Sequence, residues 1–234
     1  MFAPDKITIN GQEYNINLMF LNKKNSSANI KGRVINLRIS KWMSKKNKMI
    51  HIQSLLKKMV ELTYKYPYQE FKFEHGRVMK IMGKDYFLNI SSVNQKSSIK
   101  INNDNIFIKV SDIKNQDKIK YLLRKKLIKE YQEEVINQVK YLNQLYFNSE
   151  IKKISLKKLK ARWGGCSTGK EISLAFRLLF LPEKVREYIM VHEIAHLVHM
   201  NHSKRFWKEV EFACPEYKVY KKWLRANEFN IPNF

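Results

Sequence analysis

Four of the chain's six histidines fall between positions 192 and 202, in the run VHEIAHLVHMNHSKRFW. His192 and His196 are four residues apart, a spacing that places both imidazoles on one face only if the segment is an α-helix. Pro182 suits the first helical position of that segment, where its missing N–H is not needed and its fixed φ is already helical. Glu193 stands beside the first imidazole. The run therefore commits the chain to a helix beginning near Pro182 that presents two imidazoles and a carboxylate to one region of space.

A catalytic zinc site needs three protein ligands and one open position. His199 is seven residues from His192, about 10 Å further along the axis at ~1.5 Å per residue, too far to share an ion. It reads as a packed or exposed helix residue. His202 reaches the ion only if the helix stops before it and the chain turns back, and Asn201 suits a left-handed turn at such a helix end. His202 is the expected third ligand. Glu209 or Glu216 would take its place in a site of two histidines and one glutamate.

Zinc held there would bring the pKa of its water towards neutrality, and Glu193, beside the ion without ligating it, would accept the proton and pass it to a leaving group. The reaction class is metal-assisted hydrolysis. Arg162, Arg177 and Tyr217 are candidate donors to the charge that develops on a polarised carbonyl oxygen.

The rest of the chain reads as short strands and amphipathic helices. Strand-like runs at 7–9 and 14–20 flank Asn10-Gly11, a strong hairpin signal, and a third run follows at 34–39. From about 47 to 66 the apolar positions Ile52, Leu55, Leu56, Met59 and Leu62 keep helical spacing, and Pro67 closes the segment. Residues 70–110 return to alternating runs that form two hairpins, with turns at Gly83-Lys84 and at 102–105. Ser111 or Asp112 is placed to cap a long helix whose apolar stripe runs from Ile119 to Tyr146. Strands are expected at 151–156, 158–163 and 171–180, and a last helical stretch at 203–227, interrupted at Pro215. No internal repeat or low-complexity linker separates these parts. The expected organisation is α+β, with a β-rich N-terminal part carrying one helix over 1–110 and the histidine helix within 111–234.

Lysine and arginine number 45 against 21 acidic residues, a formal charge of +24, which invites an anionic partner through counterion release. Only nine of those cations are arginine, the forked donor that clamps phosphate, and the lysines are spread over the whole chain. A solvated basic exterior is the plainer reading, and contact with nucleic acid or another polyanion is its alternative. No RRM, KH or finger motif is present, so base-specific reading is not expected. Hydrophobic residues make up 44% of the chain, enough for a folded core. Apolar stretches such as 178–181 fall far short of the ~20 residues that cross a bilayer, so no membrane span is expected. The N-terminal MFAPDKITIN lacks the basic-then-apolar pattern of a secretory signal, and Cys166 and Cys214 make no disulfide framework. The expected address is cytoplasmic, with reduced thiols.

The order Arg162-Trp163-Gly164-Gly165-Cys166-Ser167, then 172–178, then a Pro-led HEIAH helix, then Asn201-His202-Ser203 and Phe206-Trp207, resembles the YgjP-like metal-dependent hydrolases. That family is classed among the zincin metallopeptidases and is related to the SprT-like and WLM-type proteases. The resemblance spans roughly residues 155–226. It implies a zincin-like core in the C-terminal part, one zinc ion per chain on His192, His196 and His202, and Glu193 as catalytic acid/base. Where the family commonly reads RWGSCS this chain has Gly165, and Ala175 and Phe176 stand where Asn and Trp are common. The expected activity is that of a zinc-dependent hydrolase, foremost a metallopeptidase acting on a peptide or protein. One alternative keeps the metal site for a non-peptide substrate such as a nucleotide phosphoanhydride. Another is a nucleic-acid-associated protease or binding module.

Overall fold

Asn10 and Gly11 take left-handed φ angles of 50° and 71°, and Met82 and Gly83 do the same at 52° and 84°. Two consecutive left-handed residues give the tight turn whose twist matches that of paired strands. In the computed structural model of the chain, which describes residues 4–65, 71–159, 161–228, 230–232 and 234, each pair closes a hairpin. The first joins β1 (Lys6–Ile9) to β2 (Gln12–Leu21), and the other joins β5 (Val78–Ile81) to β6 (Lys84–Ser92).

The chain divides into two compact units, Met1–Glu70 with Ala226–Asn230, and Phe71–Arg225 with Ile231–Phe234. This division falls after Glu70, and the strands from Val78 onward share a core with the long helix that follows them. In the first unit β3 (Ser27–Lys31) and β4 (Val34–Ser40) complete a sheet of order β1-β2-β4-β3, with β2 and β4 parallel. Ile35, Leu37 and Ile39 alternate onto its buried face, as a period of two requires, and cluster with Tyr14 and with Ile52 and Met59 of α1 (Lys45–Lys65). The sequence reading missed β3, whose SANIK run carries too few apolar residues to declare a strand. Pro67, expected to close α1, lies outside the described residues.

The second unit opens on the same plan. With β7 (Ser98–Asn102) and β8 (Asn105–Val110) its sheet runs β5-β6-β8-β7, again with the inner pair parallel. The registers coincide: Ile9 pairs with Gln12 as Ile81 pairs with Lys84, and Asn15 with Val34 as Phe87 with Asn105. α1 starts at Lys45 and α2 (Gln116–Tyr146) at Gln116. Equivalent positions are 72 apart at Gly11 and Gly83 and 71 apart at the two helix starts. The chain thus contains an internal repeat of four strands and a helix, which corrects the reading that it has none. Identities such as Gly11 with Gly83 and Tyr14 with Tyr86 are too sparse to announce it.

Asn115, not Ser111 or Asp112, caps α2 by accepting a hydrogen bond from the Lys118 N–H at 2.9 Å. Asp112 accepts from the Lys114 N–H in the preceding turn instead. The stripe from Ile119 to Leu142 is buried at every third or fourth position, and the Tyr131 hydroxyl donates to that of Tyr86 at 2.7 Å inside the core.

A third sheet, of order β10-β11-β9, is built from β9 (Lys153–Lys157), β10 (Gly164–Cys166) and β11 (Glu171–Ala175). The strand expected at 158–163 is absent among its described residues, since pairing with β11 begins only at Gly164. β11 also ends early. Phe176–Phe180 form a 3₁₀ turn with Phe176, Arg177, Leu178 and Leu179 buried. Then come α3 (Glu183–Ala195), α4 (Lys204–Ala213) and α5 (Tyr217–Asn227), with the helix interruption expected at Pro215 separating the last two. Pro182 caps α3 one position before the helix proper. The fold is α+β, and among the described residues no helix is long and apolar enough to cross a membrane.

Candidate metal centre

α3 is buried along most of its length, from Val185 through Ile189 to Ala195, so its last turn carries His192 and Glu193 into the interior of the second unit. The helix stops sooner than the sequence suggests. His196 is already the C-cap, and the N–H groups of Val198 and His199 both bond back to the Ala195 carbonyl as the chain turns. Asn201 is not among the residues with positive φ, which corrects the turn expected there. Its side chain instead accepts from the Ser203 N–H, and the Ser203 hydroxyl caps α4 by accepting from the Phe206 N–H. This reversal brings His202 back over α3.

His202 Nε2 lies 3.1 Å from His192 Nε2. One ligand atom each of His192, His196 and His202 lies within 4.8 Å of the others, and the three form a metal-capable group among the described residues. Tetrahedral zinc with bonds near 2.0–2.1 Å sets its nitrogens about 3.3 Å apart, so the donor set and the His192–His202 spacing fit that ion. His196 Nδ1 lies 3.1 Å from the His199 carbonyl oxygen. A carbonyl only accepts, so Nδ1 carries the proton and Nε2 keeps its lone pair. His192 Nδ1 is buried with no hydrogen-bond partner among the described residues.

Packing holds the rings in place. Phe206 is fully buried, with its ring centroid 5.0 Å from His192, 4.5 Å from His196 and 4.8 Å from His202. Trp207 stacks on His202 at 5.8 Å and 24°. Burial, then the neighbouring His196 and His202, hold the His192 pKa down to about 3. The ring is neutral at physiological pH, as a ligand must be.

Glu193 is 6% exposed, and burial raises its carboxyl pKa to about 7 while Arg162 opposes the rise. β10 forms the opposite wall. A β-carbon on Gly164 would sit 2.6 Å from Glu193 Oε1, and one on Gly165 would sit 2.8 Å from Arg162 Cζ. At Gly164, against the buried Glu193, only glycine lets the strand approach so closely, whereas at Gly165 the exposed Arg162 side chain could swing aside. Between β10 and α3 lies a cavity of about 470 Å³ whose lining includes Arg162, His192, Glu193, His196, His202 and Tyr188.

The candidate donors part company here. Arg162 lines this cavity, but Arg177 is buried with its guanidinium carbon 3.7 Å from the Trp163 ring centroid. Tyr217 stacks against Trp207 at 5.2 Å and lies outside the cavity lining. Glu209 and Glu216 stay outside the metal-capable group, and Glu216 accepts from the Tyr220 hydroxyl. Cys166 faces the cavity as a thiol, its pKa pushed up by burial and then by Glu193. Sequence reasoning placed Gly164 in a motif but not against Glu193, and overlooked Tyr188. Nothing local pairs the first with Glu193, whereas Tyr188, four residues before His192, shares its helix face.

A model of the YgjP-like family, described as a metallopeptidase domain, matches residues 4–227. Two solved structures are similar over part of the chain. The metallopeptidase zymogen abylysin of Pyrococcus abyssi is 28% identical and covers 41% of this chain and 87% of its own, with a TM-score of 0.33. The metallopeptidase zymogen jannalysin of Methanocaldococcus jannaschii is 22% identical and covers 38% and 94%, with a TM-score of 0.32. No curated protein matches the chain.

Proposed function

The chain belongs to the YgjP-like metallopeptidase family, and from that premise we propose that it is a zinc-dependent peptidase with His192, His196 and His202 as ligands and Glu193 as acid/base. The observation that carries this reading is the convergence of three imidazoles beside a buried carboxyl on the wall of one cavity. Zinc held by these three histidines would supply a Lewis acid for a carbonyl oxygen and a water acidic enough to lose its proton near neutral pH. Glu193 accepts the proton of the attacking water on a carboxylate oxygen and returns it to the leaving amine nitrogen. Burial favours the protonated form of this carboxyl, which suits it to take up that proton and hold it until the amine leaves. Arg162 faces the same space and supplies the positive charge for the carbonyl oxygen. A peptide or protein is the substrate this family implies. A cytoplasmic, reducing setting belongs to the same reading and is supported by the free thiols of Cys166 and Cys214.

Metal content by mass spectrometry on chelator-free protein without a histidine tag, followed by cleavage of a peptide mixture, tests this. One zinc per chain, lost in His202→Ala, with hydrolysis abolished in Glu193→Gln, is the expected result. A wild-type chain that takes up no metal when zinc is added back would overturn the reading. Zinc uptake with release of phosphate from nucleotides and no peptide cleavage would transfer the site to a non-peptide substrate.

A further inference from the structure

α5 lines two cavities. Leu224 faces the one that holds the histidines, whereas Lys221 and Arg225, three residues before it and one after, face a second of about 390 Å³ with Trp207, Tyr217, Lys218 and Lys222. A stack of rings connects the two: His202 on Trp207 at 5.8 Å, and Trp207 on Tyr217 at 5.2 Å and 19°. Lys221 Nζ sits 4.1 Å from the Trp207 centroid. These distances put the ammonium within about 10 Å of the His202 ring, roughly three residues of extended chain.

The charges in this second cavity are unbalanced. Lys218 is answered by Glu211 at 3.1 Å. Among the described residues no ion pair joins Lys221, Lys222 or Arg225 to a carboxylate. Lys221 is half-buried, and burial followed by the charge of Arg225 holds its pKa below the ordinary lysine value. A bound anion relieves that arrangement, and a guanidinium beside an ammonium suits the planar oxygen pair of a carboxylate. Trp207 is already engaged by His202, Tyr217 and Lys221, so it offers poor purchase to a stacking nucleobase. The cations are gathered in one pocket rather than strung along a track, which favours a single carboxylate over a nucleic-acid backbone.

We propose that this cavity is a carboxylate subsite, with Lys221 and Arg225 selecting peptides that carry an acidic side chain or a free C-terminus about three residues from the scissile bond. The register rests on the peptidase reading above, and the subsite adds the chemistry of the substrate.

The test separates the two claims. Zinc-loaded Glu193→Gln protein is titrated with the acetylated, amidated hexapeptide Ala-Ala-Phe-Ala-Ala-Glu, with its Gln twin, and with the Gln peptide ending in a free carboxylate. The subsite predicts that at least one carboxylate peptide binds about 10-fold tighter than the neutral twin. Adding Lys221→Gln and Arg225→Gln should erase the preference, and Lys221→Arg should keep it. Which of the two carboxylate peptides gains identifies a side-chain or terminal source. Equal affinities overturn the proposal, and so does tighter, salt-sensitive binding of a twelve-nucleotide oligothymidylate that the double substitution weakens. Turnover of all three peptides by the wild type without discrimination removes the subsite and leaves the peptidase. Discrimination without turnover leaves the subsite and counts against the peptidase.

Discussion

Glu193 and Gly164 touch so closely that the strand residue has no room for a side chain: a β-carbon would stand 2.6 Å from both Cγ and Oε1 of the carboxylate-bearing side chain. The catalytic candidate is therefore positioned by a backbone as much as by its own helix. Gly164→Ala should displace Glu193 without touching the imidazoles. We expect kcat/KM for peptide hydrolysis to fall about 100-fold, since a misplaced acid/base loses orientation, while zinc content stays unchanged. Turnover within twofold of wild type would show that the carboxyl has room to spare.

Glu193 should also make the metal-free chain sensitive to pH. Its carboxyl is raised from 4.5 to about 7 by burial, so the folded state holds the proton more tightly than the unfolded one. That contribution is complete below pH 4.5 and is lost as the pH climbs through 7. Glu193→Gln carries no such titration and should be more stable than the wild type at pH 8 by up to about 3 kcal/mol, and indistinguishable at pH 4.5. Chemical denaturation with chelator present measures the gap, and zinc should narrow it by stabilising the carboxylate.

His199 and His202 make a matched pair for metal binding. His202→Ala should weaken zinc binding by well over about 100-fold, the upper range for loss of a partner behind a ligand. His199 contributes its carbonyl oxygen to His196, which alanine also supplies. His199→Ala should thus hold zinc within about threefold of wild type, a smaller change than losing an outer-shell partner. Competition with a chromophoric chelator reads both, and equal losses would show that the metal is held differently.

The hydroxyl pair of Tyr131 and Tyr86 predicts behaviour at high pH. Burial first, then the hydrogen bond to Tyr86, raise the Tyr131 pKa far above its ordinary value near 10. Its stabilising effect is full below pH 10 and drains away as the pH rises past it. Tyr131→Phe should cost about 1 kcal/mol at pH 7 and flatten the fall in stability above pH 10. An alkaline unfolding profile with the same slope in both proteins would contradict this.

The elements legible in the sequence were those whose signal is local. Asn10-Gly11 marked its hairpin, the stripe from Ile119 marked α2, and the spacing of His192, His196 and His202 marked the residues that converge. What escaped depends on residues far apart. The parallel pairing of β2 with β4 joins Asn15 to Val34, and nothing in either segment specifies its partner. Gly164 looks like any turn glycine until Glu193 is placed against it. The turn after α3 was read into Asn201, although backbone hydrogen bonds to Ala195 make the reversal earlier.

The recurrence of one four-strand-and-helix plan bears on how the chain folds. In both copies every strand partner lies within a few dozen residues, and each sheet is completed by strands of its own unit. Short loop closures of this kind are quick compared with the long-range pairings of large β architectures. The first copy closes its ladder and gathers Tyr14, Ile35 and Ile52 without any residue of the histidine cluster. On a ribosome the strands, helix and core of that copy would all emerge before the helix bearing His192 is synthesised, leaving only Ala226–Asn230 to join the unit later.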